Sequence, residues 1–82
     1  MRGKVQERAI ALIQAIVLEE ALARVFVHAA WEIEADGSIS GADTMRSVAR
    51  HHRIKALEDR GRLAALGEEY SWLFPDASNK DP

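Results

Sequence analysis

The chain has 82 residues, so it forms one domain at most, and a domain of this size buries little surface by itself. It contains no cysteine, which excludes disulfides, thiolate catalysis and cysteine-ligated metals. The formal net charge is −2 and the pI is about 5.9, which differs from the strongly basic balance of most nucleic-acid-binding domains.

A first long helix is predicted from Lys4 to about Glu34. This segment lacks Pro and internal Gly and is rich in Ala, Leu, Glu and Arg. Apolar residues recur in steps of three and four, as in helical bundles and coiled coils. The predicted seam consists of Ala11, Ala15, Leu18, Leu22, Phe26, Ala29 and Ile33. It is widened by Leu12, Ile16, Ala23, Val27 and Ala30.

A second helix is predicted to begin after Ser40, which can cap it, with Asp43 at the reciprocal capping position. Its apolar face is interrupted by Asp59 and consists of Met45, Val48, Ala49, His52, Ala56, Leu63 and Leu66. Gly61 predicts a bend or break, and Gly67 predicts the end of the helix. An aromatic tail is then predicted to fold back on the helices: Tyr70, Trp72, Leu73 and Phe74.

These elements predict an all-α fold, an antiparallel helical hairpin with a short C-terminal extension. The single domain is expected to span residues 1–75, followed by a flexible tail over residues 76–82. Apolar residues cover more than half of the first helix, so one partner helix cannot bury them all, and we expect dimerisation into a four-helix bundle. The predicted dimer or partner interface consists of Leu18, Leu22, Phe26, Ala29 and Ile33.

The segment from Glu32 to Asp43 has the spacing of a metal-binding helix–loop–helix. EF-hand ligands come from positions one, three, five, seven, nine and twelve of the loop, with Gly at position six. With Gly37 at position six, the candidate metal ligands are Glu32, Glu34, Asp36, Ser38, Ser40 and Asp43. The segment therefore resembles a degenerate EF-hand, with Glu32 for the usual Asp and Asp43 for the usual bidentate Glu. The alternative is a plain turn, in which Gly37 ends one helix, Ile39 packs into the hairpin and no cation is needed.

The stretch from Ala29 to Ser40 also resembles a helix–turn segment of TerB-like (tellurite-resistance) domains. It has the Ala-Asp-Gly turn of that family over residues 35–37, then an apolar residue and a helix N-cap. Those domains are all-helical and longer than this chain. The resemblance implies a stress-related or envelope-associated accessory role that involves a divalent cation.

Two charged features remain. Glu19 has apolar helical neighbours, so we expect either a buried acid or metal ligand facing His51 or His52, or an Arg or His partner across the hairpin or dimer that helps to fix register. A stripe of arginines on the second helix could contact nucleic-acid phosphates: Arg46, Arg50, Arg53 and Arg60. The alternative is a solvated stripe that pairs with Glu20 and Glu32 of the first helix.

The sequence contains no Gly-rich phosphate loop, no Ser–His–Asp arrangement and no zinc-ligand spacing, so we expect no enzyme and no cofactor. The expected function is a small protein-interaction module, such as an adaptor, inhibitor or regulator, that acts as a helical homo-oligomer. The alternatives are a nucleic-acid-associated regulator and a cation-responsive accessory protein. Acidic residues interrupt every leader-like or membrane-spanning window, so we expect a cytoplasmic protein without membrane contact.

Overall fold

A computed structural model describes residues 2–71 as two long α-helices that pack side by side as a hairpin. Helix α1 spans Arg2–Ala35 and helix α2 spans Ile39–Glu69. The two helices are in contact along their length, and no strand occurs within residues 2–71. This confirms the all-α helical hairpin and both predicted helices.

The turn between the helices is only three residues long, and Gly37 makes it possible. Its φ of +100° lies in the left-handed region, where residues with a side chain are strained. The backbone N–H of Ser38 donates to the carbonyl of Ile33, and the Ser38 hydroxyl accepts from the N–H of Gly41 at 3.2 Å. Ser38 is therefore the N-cap, and the predicted cap at Ser40 is wrong by two residues.

Two further expectations for this turn are resolved by the structure. Gly37 ends the first helical segment as predicted, because its positive φ turns the chain away from the helix. Ile39 was expected to pack into the hairpin, but its side chain is 66% exposed. Ile39 is the first residue of α2, and the prediction that it packs into the hairpin is wrong.

The interface between the helices is a row of small residues at seven-residue spacing. On α1 the buried members are Ala9, Ile16, Ala23 and Ala30, and on α2 they are Ala42, Ala49 and Ala56. A strict heptad repeat keeps one stripe facing the partner helix, and alanine at most positions permits a close approach of the two backbones. The helices are thus held together by close packing of small side chains rather than by interlocked large ones.

A second row on each helix completes the seam. On α1 it is half-buried and consists of Val5, Leu12, Glu19, Phe26 and Ile33. On α2 it consists of Met45, His52, Asp59 and Leu66. Most of the predicted face of α2 is thereby confirmed. The predicted seam of α1 is confirmed only in part. Phe26 and Ile33 lie on the observed seam, whereas Ala11 and Leu18 are exposed. Three of the buried residues, Ile16, Ala23 and Ala30, were predicted only to widen the seam.

Helix α2 is longer than its glycines predict. It continues through Gly61 and past Gly67 to Glu69, so the predicted break and the predicted end are both wrong. Each helical glycine costs about 1 kcal/mol relative to alanine, which burial of Leu66 on the seam can offset. Tyr70 is half-buried at the end of α2, whereas the rest of the predicted aromatic tail and the predicted flexible segment lie outside the described residues.

Candidate functional site

The two helices form a layer with two broad sides, and each side combines one flank of α1 with one flank of α2. Ion pairs mark the first side. The Arg46 guanidinium contacts the carboxylate of Glu34 and, at 3.2 Å, that of Asp43. The hydrogen bond to Glu34 is the main reason that the pKa of Arg46 is raised above its ordinary value. These contacts join the ends of the helices beside the turn.

A second pair lies further along the same side. The Arg60 Nε donates to Glu20 Oε2 at 2.9 Å and links the middle of α1 to α2. The expectation that the arginine stripe pairs with the first helix is therefore confirmed for Arg60 and Glu20. Glu32 was named as the other acceptor, but its carboxylate lies 3.6 Å from the imidazole of His28 on its own helix.

Between these two ion pairs lies a groove with a cavity volume of about 570 Å³. We call it the arginine groove; it is lined by Glu20, Ala23, Arg24, Val27, His28, Trp31 and Arg53. Trp31 is 72% exposed, although tryptophan is among the most apolar side chains. Within residues 2–71, Arg24 and Arg53 form no hydrogen bond and no ion pair, and neither does Arg50, which lies one helical turn before Arg53.

The groove brings together residues that the sequence pattern does not connect. Arg53 belongs to the predicted arginine stripe, whereas Arg24 and Trp31 belong to the other helix. The available signal was their seven-residue spacing on α1, which places Arg24 and Trp31 in one row beside the observed seam. That row can be recognised only when the seam itself is known.

The second side of the layer carries an apolar band, which we call the leucine side. It comprises Leu18 and Val25, each 59% exposed, and the half-buried Ala15, Leu22 and Ala29. Three residues of the predicted interface, Leu18, Leu22 and Ala29, lie here. The other two, Phe26 and Ile33, lie on the row that faces α2, and Phe26 stacks on the His52 ring with centroids 5.7 Å apart.

A polar pair occupies the seam between the helices. The His52 Nδ1 and a carboxylate oxygen of Glu19 are hydrogen-bonded, and their side chains are only 19% and 17% exposed. This confirms a histidine partner for Glu19 across the hairpin. His51 contacts the His52 ring edge-on at 5.6 Å. No group of three His, Cys, Asp or Glu side chains able to hold a metal ion occurs in the described part of the chain.

The structure distributes the six candidate loop ligands instead of collecting them around one point. Glu32 and Glu34 lie on α1, and Ser40 and Asp43 lie on α2, so only Asp36 and Ser38 remain in the turn. Four of the six already have partners, because Glu32 contacts His28, Glu34 and Asp43 contact Arg46, and the Ser38 carbonyl, which was the candidate ligand atom, accepts from the Ala42 N–H. A twelve-residue metal loop would require both adjoining helices to unwind.

Comparison with protein-family models, with curated proteins and with solved structures gives no match for this chain. No helix within residues 2–71 combines the length and the apolar character needed to cross a membrane.

Proposed function

We propose that this protein is a small non-enzymatic protein-interaction module that acts as a helical homo-oligomer, most simply a homodimer. The observation that supports this is the number of large apolar side chains on α1 that α2 leaves uncovered. They are between 43% and 72% exposed: Ile10, Ile13, Val17, Leu18, Val25 and Trp31. Leu18 and Val25 among them lie on the leucine side, and exposed contiguous apolar patches usually mark interaction surfaces.

The leucine side is the proposed self-association surface. Leu18, Leu22, Val25 and Ala29 present apolar atoms there. A second copy can place its own leucine side against this one with two-fold symmetry, which is the commonest arrangement of homo-oligomers. Four helices then surround a core that two helices alone leave open.

The chemistry of the described side chains supports a binding role over a catalytic one. The Thr44 hydroxyl donates to the Ser40 carbonyl, and the Ser38 hydroxyl accepts from a backbone N–H. Within residues 2–71, no imidazole is bonded to a hydroxyl, since His28 and His52 contact carboxylates. Activation of a hydroxyl nucleophile requires a base within hydrogen-bond reach.

Analytical ultracentrifugation tests the assembly. We expect the wild type to sediment as a dimer at micromolar concentration and Leu18→Glu to sediment as a helical monomer, because Leu18 is exposed in the single chain. Leu22→Asp is expected to dissociate or unfold the protein, since an unpaired buried charge costs several kcal/mol. The matched control is Ile54→Glu, a 49% exposed residue of α2. A wild type that stays monomeric would contradict the homo-oligomer.

A further inference from the structure

We propose that the arginine groove is a docking site for an acidic amphipathic helix of another protein. The inference rests on the proposed function. It names a partner for the other side of the layer, opposite the leucine side. Its basis is the combination of an apolar floor, three arginines without partners and two ion pairs that limit the groove at its ends.

The floor of the groove is suited to a helix. Ala23 is 4% exposed and its side chain is a single methyl group. It therefore forms the floor of an open valley between α1 and α2. Val27 and Trp31 follow at successive turns of α1 and form one apolar wall. A third helix can lie in such a valley with its own apolar stripe against these residues, as amphipathic helices do in hydrophobic grooves.

The charges of the groove determine that a partner must be negatively charged. Arg24 lines the groove from α1 and Arg53 lines it from α2, while Arg50 lies one helical turn before Arg53, beside the groove; none of the three has a carboxylate partner among residues 2–71. A bound helix with an apolar stripe would therefore be flanked by guanidinium groups on both edges. Glutamates or aspartates on those edges would form charge-assisted, bidentate hydrogen bonds, which arginine favours.

The length of the groove selects the size of the partner. The acids Glu20 and Glu34 are already held by Arg60 and Arg46, so they terminate the unpaired positive region at both ends. They are fourteen residues apart on α1, a distance of about 21 Å at 1.5 Å per residue. A partner helix of about four turns fills this length.

Other occupants fit less well. Two copies that meet through this groove would bring Arg24, Arg50 and Arg53 of each copy together, and like charges oppose such an interface. A nucleic acid could stack on Trp31, but it needs a continuous positive track, and the carboxylates of Glu20 and Glu34 interrupt this one. An acidic helix can pair with the three arginines and lie between the two ion pairs that limit the groove.

Fluorescence anisotropy with three labelled peptides tests the proposal on the full chain. Each peptide has about four helical turns and the same leucine stripe, with flanking positions that are all Glu, all Gln or all Lys. We expect the Glu peptide to bind at least about tenfold more tightly than the Gln peptide. Arg53→Glu should reverse the preference toward the Lys peptide, and Trp31→Ala should weaken binding of all three. The matched control is Lys55→Glu, which makes the same charge change at an exposed residue outside the groove.

The remaining outcomes contradict the proposal in distinguishable ways. Equal binding of the three peptides, or loss of the preference in Lys55→Glu, would refute selection by these arginines. A single-stranded oligonucleotide that binds more tightly than the Glu peptide, and loses its affinity in Arg53→Glu, would make the groove a nucleic-acid site. A change of sedimentation in Arg53→Glu would make it a contact between copies. If the protein is a dimer but binds none of the peptides, only the docking site is refuted. If it is a monomer that prefers the Glu peptide, only the proposed homo-oligomer is refuted.

Discussion

The Glu19–His52 pair allows a quantitative test of the seam. His52→Leu removes the hydrogen-bond partner of a carboxylate whose side chain is 17% exposed. Leaving such a group without its partner costs about 1–3 kcal/mol of unfolding free energy. Glu19→Leu leaves the His52 imidazole still stacked on Phe26, so a smaller loss of about 1 kcal/mol is expected. When both residues become Leu, the stability should return to that of the wild type or exceed it, because an apolar pair carries no desolvation cost.

Urea unfolding followed by far-ultraviolet circular dichroism, at neutral pH and one fixed protein concentration, measures all four variants. The matched control is His28→Leu, which disrupts the exposed His28–Glu32 pair, whose side chains are 76% and 70% exposed. We expect this control to lose less than about 0.5 kcal/mol. If His52→Leu loses no more than the control, the Glu19 carboxylate reaches water freely, and the reasoning from burial fails.

Two further predictions concern the turn and the glycines. Gly61→Ala should stabilise the protein by about 0.5–1 kcal/mol, because a Cβ there meets no atom within 4 Å. Gly41→Ala should destabilise it, because a Cβ would lie 2.8 Å from the Ser38 hydroxyl and 3.0 Å from the Ile33 side chain. Thermal unfolding of the two variants and the wild type measures both effects. Isothermal titration should show no calcium affinity tighter than about millimolar, since the bidentate ligand of an EF-hand is missing. Micromolar binding that Asp36→Ala abolishes would support the cation-responsive alternative.

The existence of both helices and the extent of the first follow from local chemistry. The first helix has neither Pro nor Gly after its first turn, so nothing interrupts backbone hydrogen bonding before Gly37. Gly37 then turns the chain, since glycine alone adopts its positive φ without strain. The partner of Glu19 was also predictable, because a carboxylate among apolar neighbours requires a polar group from the facing helix. The cap was harder to place, because Ser38 and Ser40 offer the same hydroxyl two residues apart.

Only the tertiary structure decides which apolar row of α1 faces α2. Apolar residues occupy several of the seven helical rows of α1, so periodicity alone permits more than one seam. Helix α2 removes the ambiguity, because alanines at Ala42, Ala49 and Ala56 form a row flat enough for a close approach, and His52 must meet Glu19. The arginine groove follows from that choice of seam. Its cationic and aromatic side chains come from two helices, and no pattern within either helix determines how far apart the packing will place them.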